Sequence, residues 1–103
     1  MSVIMRIMQQ FDTRHEAEFM ALERQFAELE RRRPDYPQGR RLQPIAGGEP
    51  CNTLIWEGEF PDLDSARAAL DFFHGDAEHE ALFAQQVEFF RQVKVEFYQH
   101  LDF

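Results

Sequence analysis

Residues 52–60, Asn-Thr-Leu-Ile-Trp-Glu-Gly-Glu-Phe, constrain the fold of this chain more than any other stretch. Leu54, Trp56 and Phe60 fall on one side of a two-residue repeat. Ile55 and the glutamates at positions 57 and 59 fall on the other side, which is the pattern of a half-buried β-strand. We therefore predict a strand whose first face packs against helices and whose second face meets a partner or water.

Size and composition describe one ordinary folded domain. With 103 residues, 44% of them hydrophobic and 11 of them Phe, the chain can bury a core without a metal or disulfide. The net charge of −8 repels a phosphate backbone, so no nucleic-acid partner is expected. No stretch has the length of a membrane span or the pattern of a signal peptide, so we expect a cytoplasmic protein without membrane contact. The single Cys51 fits a reducing compartment and is expected to be buried or inert.

The remaining segments predict three more strands and three helices. Residues 2–11 and 91–101 alternate as strands do, and residues 40–46 form a weaker strand that Pro44 places at an edge. Residues 14–33 have the composition and apolar stripe of a helix, which Pro34 ends. Two shorter helices are predicted over residues 65–73 and from Asp76 to about position 90, each with an aspartate as N-cap.

The order strand, helix, strand, strand, helical segment, strand is the ferredoxin-like split βαβ pattern. It predicts an α+β fold with a four-stranded antiparallel sheet and helices on one face. The other face then lacks cover and exposes some of Ile4, Met8, Ile55 and Tyr98. Such a mixed surface predicts a homodimer through the open sheet face, because one patch then satisfies both chains.

In this layout the chain resembles the dimeric α/β-barrel superfamily, and within it the NIPSNAP-type and antibiotic-biosynthesis-monooxygenase-type groups. The resemblance rests on residues 52–60, on residues 63–70, on the helix start Asp-Ala-Glu-His at 76–79 and on the strand Val-Lys-Val-Glu-Phe-Tyr at 93–98. It implies one dimeric α/β-barrel domain over residues 1–103, with its site between the sheet and the helices. Known members include cofactor-independent monooxygenases, haem-degrading enzymes, isomerases and decarboxylases.

The same resemblance argues against haem chemistry. A haem-degrading member would pair a strand-one Asn with a strand-three Trp and a helix-two His. Trp56 matches the second of these, whereas strand one offers Gln9 and Gln10, and His74 or His79 lies farther along the chain. We therefore expect no cofactor.

A modest apolar pocket between the helices and the sheet is the predicted site. Trp56 is expected either in the core or as a pocket wall, and His79 either as a partly buried histidine or as a base. His74 is expected either to cap a helix end or to face the same pocket. The predicted ligand-binding residues are Met5, Ile7, Phe26, Trp56, Phe72, His74, His79 and Phe83.

Two charged clusters give weaker hypotheses. Residues 74–80 hold two histidines and three acidic residues, but they lack the His-Glu-x-x-His spacing, so no metal site is predicted. The arginines at positions 31–33, 40 and 41 either hold an anionic ligand or lie solvated beside a helix C-terminus.

Three functions remain open at this point. The chain binds a small hydrophobic or aromatic molecule without a tightly held cofactor, or it is a structural or assembly domain with a filled interior. Alternatively it is a cofactor-independent monooxygenase or isomerase, in which Trp56 orients the substrate and His79 removes a proton. The residues alone do not decide whether the protein is an enzyme.

Overall fold

The structure is a computed structural model that describes residues 2–103. Four strands and three helices follow the predicted order along the chain. The strands are β1 (Val3–Phe11), β2 (Arg40–Leu42), β3 (Thr53–Phe60) and β4 (Phe90–Gln99), and the helices are α1 (Glu16–Arg32), α2 (Leu63–Gly75) and α3 (Ala77–Gln86). Two short 3-10 helices, Thr13–His15 and Val87–Phe89, lead into α1 and β4.

The strands form one antiparallel sheet in the order β2-β3-β1-β4, which confirms the α+β, ferredoxin-like architecture. Because side chains alternate between the two faces of a strand, the pairing register decides which residues meet. One row of this register crosses all four strands on the helix side and consists of Val95, Ile7, Trp56 and Arg41. This row is the floor on which the helices pack.

Aspartate side chains begin the helical segments, as the sequence predicts. Asp12 accepts a hydrogen bond from the backbone N–H of Arg14, and Asp62 accepts one from that of Ser65. Asp76 accepts one from the backbone N–H of His79 at the start of α3. Each carboxylate satisfies a donor that the first helical turn leaves unpaired.

Several predicted boundaries are wrong, and α2 covers Leu63–Gly75 instead of residues 65–73. The edge strand is only three residues long, because the chain leaves the sheet after Leu42 and turns at Gly47, which has a φ of 124°. The last helix ends at Gln86, since residues 87–89 tighten into a 3-10 turn and Phe90 already pairs with β1. The final strand accordingly begins at Phe90 and ends at Gln99.

The core lies between the sheet and the helices in two clusters. The larger cluster joins Trp56 and Met5 of the sheet to α1 and α2, and consists of Met5, Leu29, Tyr36, Trp56, Ala66, Ala69 and Phe73. The smaller one, Phe11, Phe19 and Leu54, closes the end of the sheet near the start of α1. Leu54, Trp56 and Phe60 thus face the helices, as their two-residue repeat predicts.

The second face of the sheet is half covered, contrary to the prediction. Met8 and Ile55 are only 4% and 8% exposed, and Glu49 and Pro50 of the loop before β3 lie beside Met8. The Lys94 ammonium holds this loop through the Glu49 carboxylate, with 2.9 Å between Nζ and Oε1. Cys51 lies exposed in the same loop, so of the two predicted alternatives, buried or inert, burial is wrong.

The uncovered half of that face carries the charged side chains of Arg6, Arg40 and Glu57 instead of a continuous apolar surface. Glu57 is buried and accepts hydrogen bonds from Arg6 and Arg40, each 2.8 Å from Nε to a carboxylate oxygen. Burial raises the pKa of Glu57, but the two guanidinium groups outweigh it and leave that pKa below its usual value. The Arg6 guanidinium lies 4.9 Å from the ring centre of Tyr98, which is exposed.

None of the helices described in residues 2–103 has the length and apolar character that a membrane-spanning helix needs.

Candidate functional site

A cavity of about 160 Å³ lies between the sheet and the helices. Its floor contains the row that crosses the four strands, together with Gln9 and Val93 of the neighbouring row. Val93 and Val95 of the edge strand β4 line the cavity and are 47% and 41% exposed, so the cavity opens to solvent on this side. The cavity runs from these two valines towards Arg41 on β2.

Aromatic rings form the roof of the cavity around His79. The His79 ring stacks on Phe73 with 4.9 Å between ring centres, and it lies 5.1 Å from Phe26 and 5.9 Å from Phe83. Tyr36 reaches the same group from the turn after α1, with its ring 6.3 Å from that of His79. These rings come from all three helices and one turn, so the cavity depends on the packing of the whole helical layer.

The environment of His79 favours the neutral imidazole. Burial among the rings lowers its pKa, although the Glu80 carboxylate, 3.4 Å from Nδ1, opposes this effect. Tyr36 is also kept neutral, since burial and the Asp76 and Glu30 carboxylates raise the pKa of its phenol. The Tyr36 phenol and the His79 imidazole thus both favour their uncharged forms.

The opposite end of the cavity contains a buried cluster of charged residues. Glu23, Glu30 and Arg41 all line the cavity, and Arg41 donates from Nε to Glu23 at 2.7 Å and from Nη1 to Glu30 at 3.4 Å. The Trp56 indole N–H donates to the same Glu30 oxygen at 3.0 Å. Gln86 donates from Nε2 to Glu23 at 3.0 Å. Two carboxylates thus share one guanidinium, and neutral donors supply the remaining contacts.

Two glycines make room for the Trp56 indole. A Cβ on Gly39 would lie 2.3 Å from Cε2 of Trp56 and 2.8 Å from the backbone oxygen of Glu57. A Cβ on Gly58 would lie 2.7 Å from Cη2 of the same ring. Gly39 also donates its backbone N–H to Glu30 at 3.3 Å. The indole is therefore held between two backbone segments that only glycine lets approach so closely.

The arginines that could have held an anionic ligand are already paired with carboxylates. Arg31 binds Glu28, Arg32 binds Glu78, and Arg40 binds Glu57. Arg33 joins the end of α1 to the start of α3, with 2.8 Å between its Nη2 and Oδ1 of Asp76. It also pairs with Asp35 and Glu78. Arg41 pairs with the two glutamates that line the cavity. None of the five is left as an unpaired cation for an anionic ligand.

Six of the eight residues predicted to bind a ligand line the cavity: Ile7, Phe26, Trp56, His74, His79 and Phe83. Met5 does not, because it is fully buried beneath α2 in the larger core cluster. Phe72 does not either, since its ring turns away to pack on Tyr36, 5.5 Å between centres, and beside Arg33. Within residues 2–103 no group of three or more His, Cys, Asp or Glu side chains could hold a metal ion.

The sequence reasoning missed the polar end of the cavity. Glu23 and Glu30 follow Phe19 and Phe26 by four residues, so they occupy positions on the buried stripe of α1 where apolar residues are expected. An ionisable residue on an apolar stripe is the signal that could have identified them. Arg41 is predicted from the sequence either to hold an anionic ligand or to lie solvated, whereas in the structure it pairs with both glutamates.

Comparisons with known proteins identify relatives in fold. No protein-family model matches the sequence, and no curated protein matches it. A NIPSNAP domain protein from Burkholderia xenovorans aligns over 100% of this chain and 97% of its own, with a TM-score of 0.78 and 16% identity. The chain has the fold of NIPSNAP and antibiotic biosynthesis monooxygenase proteins. This confirms the predicted resemblance at the level of fold.

Two further structures support the same assignment. A NIPSNAP family protein from Agrobacterium tumefaciens aligns over 99% of this chain and 88% of its own, with a TM-score of 0.80 and 12% identity. A proposed antibiotic biosynthesis monooxygenase from Nitrosomonas europaea aligns over 98% and 91%, with a TM-score of 0.70 and 14% identity. At these identities the likeness is one of fold, and function has to be argued from the cavity itself.

Proposed function

We propose that this protein binds a small hydrophobic or aromatic molecule in the cavity between its sheet and its helices. The observation that carries the proposal is the cavity itself, about 160 Å³ in volume and lined by Trp56 and the rings around His79. An apolar protein cavity of about 150 Å³ accommodates a benzene molecule. The ligand, or the part of it that enters, is therefore about the size of one six-membered ring.

A titration with toluene tests this proposal. Trp56 is the only tryptophan, so its indole N–H gives one assignable NMR signal from the cavity wall. Toluene should shift that signal saturably, with one molecule bound per chain. Val95→Phe, which places a larger side chain at the cavity opening, should abolish the saturable shift. Val87→Phe is the matched control, because Val87 is also exposed but does not line the cavity. An indole signal that stays unchanged with toluene up to its solubility limit, and with benzyl alcohol and benzylamine as well, would refute the proposal.

The second candidate is a cofactor-independent monooxygenase or isomerase. It is favoured by the neutral His79 imidazole at the cavity wall, because a histidine with a lowered pKa is an available base at neutral pH. In both reactions the imidazole would take a proton from a carbon next to a carbonyl group and leave an enolate. Exchange of the α-protons of phenylacetone in D₂O would measure this step by NMR. Exchange at the same rate with wild-type protein and His79→Phe would contradict the enzymatic role.

A structural or assembly domain fits the cavity less well, since that function predicts a filled interior.

We propose in addition that two chains pair through the uncovered half of the open sheet face. Exposed Tyr98 and the half-buried Ile4 lie there, and the Arg6–Glu57 pair satisfies the charge that the contact would bury. Light scattering at micromolar concentration should give twice the 12.3 kDa chain mass, and a mass near one chain would contradict the dimer.

A further inference from the structure

The polar end of the cavity is rich in hydrogen-bond acceptors and poor in donors. The carboxylates of Glu23 and Glu30 together offer about eight acceptor positions. They receive five hydrogen bonds, from Arg41 to each, from Trp56, from Gly39 and from Gln86. Acceptor positions therefore remain on side chains that line the cavity.

Gln86 adds one more acceptor at the same end. It is 1% exposed and lines the cavity, and its Oε1 has no hydrogen-bond partner among residues 2–103. Its amide orientation is fixed, because Nε2 faces Glu23 Oε1 at 3.0 Å and the Phe19 carbonyl oxygen at 3.4 Å, both of which are acceptors. A buried acceptor without a partner is costly and rare in native proteins, and a ligand that donates a hydrogen bond would remove the cost.

The charges at this end also select the ligand. Two carboxylates face the single guanidinium of Arg41, and the nearby Tyr36 and His79 are neutral. Among residues 2–103, Arg41 is the one arginine that lines the cavity, and it is already paired with both carboxylates, so an incoming anion would find no unpaired guanidinium there. A cation, in contrast, would meet both the carboxylates and the faces of the surrounding aromatic rings.

Resting on the ligand-binding function proposed above, we infer that the ligand is a one-ring arylalkylamine such as benzylamine, with its protonated nitrogen at Glu23 and Glu30 and its ring among the aromatic side chains. A neutral alcohol or phenol of the same size can also donate a hydrogen bond to these acceptors, but it should bind more weakly than the amine. Aromatic carboxylates and phosphates are excluded. The chain's net charge of −8 additionally favours the approach of a cation at low ionic strength.

Four probes of matched size test this inference on the wild-type chain: benzylamine, benzyl alcohol, toluene and benzoate. With the Trp56 indole signal as the readout, the Kd of benzylamine should be lower than that of toluene by about tenfold or more, as for a hydrogen bond to a charged group. Benzyl alcohol should fall between them, and benzoate should bind more weakly than toluene. Saturable toluene binding without a benzylamine preference, or tighter benzoate binding, would overturn this inference and leave the proposed function standing. No saturable binding of any probe would overturn both.

Substitutions then locate the charge that matters. Glu23→Gln keeps the size of the side chain and removes its charge, so the ratio of the toluene Kd to the benzylamine Kd should fall towards one. Glu30→Gln serves the same purpose if Glu23→Gln does not fold, as judged by thermal unfolding. Glu88→Gln removes an equal charge from the exposed surface and should keep the wild-type ratio. An unchanged ratio in a folded cavity variant, or an equal loss in Glu88→Gln, would contradict the assignment.

Discussion

The close contact between Gly39 and Trp56 gives a sharp test of the cavity wall. In Gly39→Ala the new methyl carbon would lie 2.3 and 2.4 Å from two carbons of the indole and 2.8 Å from the Glu57 carbonyl oxygen. Neither neighbour is flexible, since one is a rigid ring and the other is sheet backbone. The indole also has little room to move aside, because its Cη2 and Cζ3 lie close to Gly58, where an added Cβ would be 2.7 and 2.9 Å away. The ring must therefore rotate, or β2 must separate from β3.

Either response has a cost that can be estimated. Overpacking of a core by one methyl group costs about 1–3 kcal/mol. Rotation of the indole also removes its hydrogen bond to the Glu30 carboxylate, and hydrogen bonds to charged groups contribute about 1.5–3 kcal/mol. Against this, alanine restricts the unfolded chain and recovers about 0.4–1 kcal/mol. We expect a net loss of about 2–5 kcal/mol in the free energy of unfolding, which lowers Tm by roughly 10 °C or more in a domain of this size.

Urea unfolding followed by tryptophan fluorescence measures the free energy and reports on the site together, because Trp56 is the only tryptophan. The emission of folded Gly39→Ala should differ from that of the wild type. Gly48→Ala is the matched control, since a Cβ there meets nothing within 4 Å and its φ is not positive. Its stability should stay within about 0.5 kcal/mol of the wild type or rise slightly. A Gly39→Ala protein with wild-type stability and emission would refute the described packing of the indole.

Two further predictions concern the start of α3 and the buried histidine. Asp76→Ala should lower the free energy of unfolding more than Asp62→Ala does, because Asp76 both caps a helix and pairs with Arg33, whereas Asp62 only caps a helix. Equal losses in urea unfolding would argue against a contribution from the pair. Burial lowers the pKa of folded His79, so the unfolded chain binds more protons below pH 6.5, and stability falls as the pH falls from 7.5 to 5.5. His79→Phe should reduce this loss of stability at low pH. His100→Phe changes an exposed histidine and should keep the wild-type pH dependence. The same pH profile in the wild type and both variants would show that His79 does not titrate with unfolding.

The fold was readable from the sequence because its determinants are local. The two-residue repeat of residues 52–60 selects the face of β3 that packs on the helices, and Leu54, Trp56 and Phe60 lie on that face. Aspartates before helices act over three residues, so Asp62 and Asp76 are visible as caps without any knowledge of the tertiary structure. Pattern and capping together constrain the order of elements, which then allows few topologies.

The features that the sequence did not reveal depend on residues far apart in the chain. The loop beside Met8 is held by Glu49 and Lys94, which are 45 positions apart, and no periodicity records such a pair. Glu23 is buried because Arg41 and Gln86 reach it from β2 and α3. In a helix considered alone, a glutamate on the stripe is simply a break in the pattern. Only the assembled fold shows that its partners make it part of a cavity.

The most direct test of ligand binding at this site is a crystal structure of the protein with benzylamine. We expect the ring between Phe26, Phe83 and Trp56, and the ammonium nitrogen within about 3 Å of a carboxylate oxygen of Glu23 or Glu30. A cavity filled by protein side chains, or benzylamine found only on the outer surface, would contradict both the site and the ligand class.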